Sequence, residues 1–118
     1  MTVQVWEVAA GVTARQYLEM GQWMSIGVYY KGISTEEVVL AGQPAIKYMF
    51  LAQISGYPKT MLKMFIVIQI RERKAFQITC GVWIDNYEGD ESMVNLNKVF
   101  DEYEGVFARI LGSFRYLP

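Results

Sequence analysis

Residues 60–71 leave this chain the least freedom. Leu62, Met64, Ile66, Ile68 and Ile70 make one face apolar without a break, while Met61, Lys63, Phe65, Val67 and Gln69 make the other face mixed. Alternation kept up over that length is a β-strand. A strand apolar on one side and half-apolar on the other needs cover on both, which places it centrally in a sheet. Its neighbours follow from short connections. Arg71-Glu72-Arg73-Lys74 is a charged hairpin tip, and residues 75–84 return with Phe76, Ile78, Cys80, Val82 and Ile84 on one face. On the other side, Ser55-Gly56-Tyr57-Pro58-Lys59 is a dense turn signal after a strand over residues 45–54. Links this short require antiparallel neighbours, because a parallel pair needs a crossover.

The segment Val38-Val39-Leu40-Ala41-Gly42-Gln43-Pro44-Ala45-Ile46-Lys47-Tyr48-Met49-Phe50 adds another hairpin. Gly42 can take backbone angles closed to other residues, and Pro44, which has no N–H, suits the start of a strand. The strand before it spans residues 34–40. Residues 2–8 alternate and read as an opening strand, ended by Gly11. Thr13 and Gln16 then form a capping box, with Val12 and Tyr17 as a hydrophobic staple. Tyr17, Met20, Met24 and Val28 follow at helical spacing, so the first helix is expected to reach about residue 28 with a Met-rich stripe on the sheet. Tyr29-Tyr30-Lys31-Gly32 leaves that helix.

After a polar, acidic loop over residues 85–92, Leu96, Val99, Phe100, Tyr103, Val106, Phe107, Ile110, Leu111 and Phe114 recur in steps of three and four. This is a long second helix, with Asn95 or Ser92 as its cap. Gly105 inside it suggests a close approach to the sheet, Gly112 its end, and residues 113–117 a last short strand. The expected fold is α+β: an antiparallel sheet of about five to six strands packed by two helices. One domain spans residues 1–118, a length that buries a real core without staples.

Several functions are disfavoured by composition. The net charge is −1, from 11 basic and 12 acidic residues, so no strong field draws nucleic acid or an anionic membrane. There is no histidine, the commonest general base and metal ligand. Cys80 is the only cysteine, so no intrachain disulfide forms, and its place in an apolar strand face reads as a buried, inert thiol. No Gly-x-Ser-x-Gly, dinucleotide or Walker loop, or zinc-ligand spacing occurs. An enzyme using carboxylates and tyrosines would need two acids converging in a cleft, whereas most acids here fall in loops or at helix starts. No cofactor or metal is expected. The acidic run Asp85-Asn86-Tyr87-Glu88-Gly89-Asp90-Glu91 lacks calcium-loop spacing and reads as a solvated entry to a helix N-terminus. Lys59, Lys63, Arg71, Arg73 and Lys74 read as a solubilising rim, with an anion site as the sharper alternative. No secretory signal or membrane-spanning run is present. The chain as written reads as cytoplasmic, and extracytoplasmic if it is the trimmed part of an exported protein.

The strand pair carrying Gly42-Gln43-Pro44-Ala45-Ile46-Lys47-Tyr48 resembles the G-x-P-A-x-x-Y pattern of the Mog1/PsbP-like families. The long strand at residues 61–70, the hairpin with Lys74-Ala75-Phe76, and the closing Ile110-Leu111-Gly112-Ser113-Phe114-Arg115-Tyr116 resemble the rest of that pattern. The resemblance implies an α/β/α sandwich. It also implies an accessory protein that works by protein–protein contact rather than catalysis, its relatives including an extrinsic photosynthetic subunit, a nuclear-transport GTPase binder and bacterial envelope lipoproteins. Those families usually begin with a hairpin that this sequence lacks, which implies a reduced domain or further residues upstream. A missing hairpin exposes a sheet edge, and homodimerisation is the expectation that follows. Aromatic residues near element ends, Trp23, Tyr30, Tyr57 and Trp83 (with Tyr29 beside Tyr30), are the candidate partner or ligand contacts. The alternative is a small hydrophobic-ligand pocket between the first helix and the sheet, flanked by Met20, Trp23 and Met24.

Overall fold

The computed structural model describes residues 2–21 and 28–116, the side chains of residues 28–30 excepted. Its elements are β1 (Thr2–Glu7), α1 (Ala14–Met20), β2 (Val28–Leu40), β3 (Gln43–Ile54), β4 (Tyr57–Arg71), β5 (Lys74–Ile84) and α2 (Asp90–Ser113). The five strands form one antiparallel sheet in the order β1-β5-β4-β3-β2. β4 is the middle strand, as its two-faced pattern requires.

Two tight turns set the register. Ala41 and Gly42 join β2 to β3, and Glu72 and Arg73 join β4 to β5, all four with positive φ. Such turns match the twist of the strands they join. A left-handed alanine or glutamate costs about 1 kcal/mol, which pairing along the ladder offsets. In a two-residue hairpin the residues flanking the turn exchange both backbone hydrogen bonds, and the pattern alternates from there. Starting from Arg71↔Lys74 and Leu40↔Gln43, even residues of β3 and β4 bond to each other, as do odd residues of β4 with even residues of β5. Odd residues of β5 therefore turn towards β1. The bond from Val8 N to Arg73 O (2.9 Å) has the same parity.

This alternation explains Pro44. It directs the Pro44 backbone away from β2, towards β4, where the ladder starts only at Ile46↔Ile68. No donor is needed there, and the carbonyl is served by a side chain. Gln69 Nε2, in a residue only 1 % exposed, donates to Leu40 O (3.0 Å), Gln43 O (3.0 Å) and Pro44 O (3.1 Å). Its Oε1 accepts from the Tyr116 hydroxyl at 2.5 Å.

The sheet is covered on both faces. On one, Tyr17 of α1 packs with Phe50, Ala52, Ile66, Ile68 and Ala75. On the other, Leu96, Phe100 and Phe107 of α2 pack with Leu51, Met61, Phe65, Val67, Ile78, Cys80 and Val82. Phe65 meets Phe100 and Phe107 edge-on, with ring centroids 6.3 and 5.6 Å apart. Lys63 does not break this layer. Its ammonium lies 4.6 Å from the centre of the Phe100 ring and 2.9 Å from Asn97 Oδ1.

Several expectations are corrected. The capping box of Thr13 and Gln16 forms, but α1 ends at Met20, because Gly21 takes the left-handed cap and donates to Leu18 O. Met20 is exposed, Met24 lies outside the described residues, and Val28, Tyr29 and Tyr30 begin β2. The second helix starts at Asp90 after Gly89, with Ser92 Oγ accepting from Glu88 N, and continues through Gly112 to Ser113. Asp90 and Glu91 occupy its first turn, where the helix dipole favours acids. Residues 114–116 form no strand; Phe114 and Tyr116 stack edge-on instead, and Tyr116 packs on Phe76. Gly105 makes no close approach to the sheet: a Cβ there would meet nothing within 4 Å.

Gln69→Leu should lower stability by about 2 kcal/mol in urea denaturation, since the Pro44 carbonyl loses its donor, the Leu40 and Gln43 carbonyls lose a second one beside their ladder bond, and Tyr116 loses its acceptor. Gly105→Ala should raise stability by about 0.5–1 kcal/mol in the same measurement, because an open helical position gains only propensity.

Candidate interaction surface

β1 pairs with only the first half of β5. The register runs from Glu7↔Lys74 to Thr2↔Thr79 and stops. Beyond it, Gly81 and Trp83 have the parity that faces the β1 side, and among the described residues no strand meets them there. Each presents a backbone N–H and C=O outward. Gly81 is held as glycine by its other neighbour, since a Cβ would lie 2.7 Å from Met64 Cγ and 2.9 Å from Lys63 O.

Beside this bare stretch runs α2. Its Val99, Tyr103 and Phe107, with Gly81, Val82 and Trp83, line an open groove of about 360 Å³. No charged residue lines it. Tyr103, 50 % exposed, stacks on Phe107 at 6.4 Å; Trp83, 62 % exposed, shares a face with its partner Leu62 and with Ala52, the α1 side, so it borders the groove with its backbone. Val106, expected in the core, is exposed on the same helix, as is Val94. Covering a side chain of this size recovers about 1.5–3 kcal/mol when complete.

The aromatic candidates gather at one end of the sheet. Tyr29, Ala52, Leu62 and Trp83 lie on one row of cross-strand partners, and Tyr30 follows Tyr29 in β2. Tyr57 opens β4 at that end and is 64 % exposed. Trp23 and the Tyr30 side chain lie outside the described residues. Sequence reasoning missed Val3, Val5 and Trp6 of β1, which are 47 %, 50 % and 40 % exposed. Their alternation was visible, but that they border an open edge depends on strand order.

The other candidates disperse. Lys59 pairs with Glu88 at 3.7 Å, Lys63 with Asn97, and Arg71 lies over the Tyr116 ring at 3.7 Å. Lys59 and Arg71 are at opposite ends of β4, roughly 40 Å apart by strand rise, so the five cations make no single anion site. Cys80 is buried beneath α2, and burial pushes its thiol pKa up. No group of three or more metal-ligating side chains occurs among the described residues. A cleft between α2 and the β2–β3 hairpin, about 320 Å³, holds Lys47, which is 3.7 Å from Glu36 and 4.5 Å from the Phe65 ring centre. Between α1 and the sheet sits Tyr17, fully buried, its hydroxyl without a hydrogen-bond partner among the described residues. Among the described residues no helix is long and apolar enough to cross a membrane. No family model, curated protein or solved structure matches this chain.

Burial raises the Tyr17 pKa above its ordinary 10.0. The unfolded chain therefore ionises first, so Tyr17's share of stability is intact below pH 10 and declines as pH rises from there to the folded-state pKa. Tyr17→Phe should keep or slightly raise stability at neutral pH and flatten this part of the alkaline decline, as measured by urea denaturation across pH.

Proposed function

We propose that this chain is a non-enzymatic accessory domain of Mog1/PsbP-like type that acts by protein–protein contact, with a second copy of itself among its partners. One observation carries the reading: an open groove with no charged lining runs between α2 and the outer end of β5, where among the described residues no strand pairs with Gly81 and Trp83. Exposed apolar side chains beside unpaired strand groups suit an extended segment of another protein, which would supply ladder bonds and fill the groove together. The order of elements, with one helix on each face of an antiparallel sheet, agrees with the resemblance in the sequence. A small molecule would call for an enclosed pocket with converging polar groups, whereas this groove is open and lined by apolar side chains.

The test is photocrosslinking in the native host, with p-benzoylphenylalanine replacing Trp83 and, as control, Glu36 on the far edge. The reading predicts discrete protein adducts from position 83 and none from position 36. Trp83→Ser should change stability by less than about 0.5 kcal/mol, so replacing this exposed side chain leaves the fold intact. No adduct at position 83, or equal adducts at both, would contradict the reading.

A further inference from the structure

The sheet has two outer edges, and they differ in kind. The β2 edge is interrupted by register shifts between Tyr29 and Lys31 and between Gly32 and Ser34, and it carries Glu36 and Glu37. Bulges and charges on an edge keep other strands away. The β1 edge has neither device. Its register is unbroken over Thr2–Glu7, and Glu7, at one end, is its one charge.

The parity set by the Glu72-Arg73 turn carries through to β1. Thr2, Gln4 and Trp6 bond inward to Thr79, Gln77 and Ala75, so Val3 and Val5 turn their N–H and C=O outward. Val3 and Val5 share a face with their partners Ile78 and Phe76, on the side of the sheet that α2 covers. Both valines remain about half exposed there.

We propose that this edge pairs antiparallel with β1 of a second copy, about a twofold axis through Gln4, giving one continuous sheet of ten strands. Only registers that bring odd residues opposite odd residues let the free groups bond. A register centred on Val5 sets Val3 against Glu7 of the second copy, and one centred on Val3 leaves Trp6 uncovered. Centring on Gln4 pairs Val3 with Val5 twice, Thr2 with Trp6 twice, and Gln4 with itself. It matches β-branched residues across the strands, which is favourable. The two Glu7 carboxylates end roughly 20 Å apart along the strands, more than two screening lengths at physiological salt. The axis stands perpendicular to the sheet, so both α2 helices lie on one side, and the stretch at Gly81 and Trp83, in line with β1, is left open.

The half-covered valines and Trp6 offer apolar area on the order of 250 Å² per copy, and with the backbone the interface comes to about 1,000 Å² in all. That is the small end of specific interfaces, where weak, reversible association between roughly 1 µM and 1 mM is expected. The inference rests on the protein-contact reading above and names one partner for it.

Sedimentation from roughly 1 µM to 1 mM spans that range. The weight-average mass should climb from 13.6 kDa towards twice that value. Val5→Lys should weaken association at least tenfold with unchanged circular dichroism, while Glu36→Lys should leave it alone. Gln4→Cys should form a disulfide dimer on mild oxidation, because a non-hydrogen-bonded pair brings like residues to about 4.5 Å between Cα atoms; Val5→Cys should not. A monomer at the highest concentration, or a Gln4→Cys chain that stays unlinked, overturns the proposal. If crosslinks from position 83 persist in that case, the protein-contact reading stands and only the self-pairing falls.

Discussion

Two turns of two residues each, Ala41-Gly42 and Glu72-Arg73, control which way the backbone groups face along the unbroken ladders of the sheet. Because hydrogen bonding alternates along an unbroken ladder, fixing one pair beside a turn fixes the rest as far as the shifts at Gly32–Ser34 and Gln53–Ile54. The consequences reach well beyond the turns. Pro44 is tolerated because its missing donor faces a gap in the ladder. Gln69 is buried where the Pro44 carbonyl, outside the β3–β4 ladder, needs a donor. Val3, Val5, Gly81 and Trp83 are left with outward backbone groups for the same reason.

The core depends on β4 being buried from both sides. Ile66 and Ile68 pack beneath α1, and Phe65 and Val67 beneath α2, so the strand cannot slip by one residue without exchanging its two faces. The polar members of its mixed face are each absorbed by a specific partner: Lys63 by Asn97 and the Phe100 ring, Gln69 by the turn and Tyr116. With its charges placed this way, the domain has few left along the β1 edge and the α2 groove.

The strands and their order of pairing were legible because alternation and turn residues act locally. Residues 60–71 and 75–84 announced a central hairpin, and the structure places it centrally. The first helix was read too long because Met20, Met24 and Val28 happen to keep helical spacing, a pattern that outweighed the stop signal Gly21 gives. Gly105 misled in the opposite direction: a glycine inside a helix suggests tight packing, yet this one faces open space. Of the candidate surface, Trp83 and Tyr57 were visible as aromatics near strand ends. The role of Trp83 was not, because it depends on which half of β5 aligns with β1, a long-range pairing that neither strand encodes alone.

Among the described residues, the backbone groups of Val3, Val5, Gly81 and Trp83 face away from any strand. Residue-resolved amide hydrogen exchange at low protein concentration tests this most directly. The account predicts slow exchange at Gln4 and Trp6, whose amides face β5, and fast exchange at Val3, Val5, Gly81 and Trp83. Slow exchange at Val3 and Val5 alone, in a dilute monomer, would mean the edge is already closed within one chain. Protection at all four together would contradict both the register argument and the surface built on it.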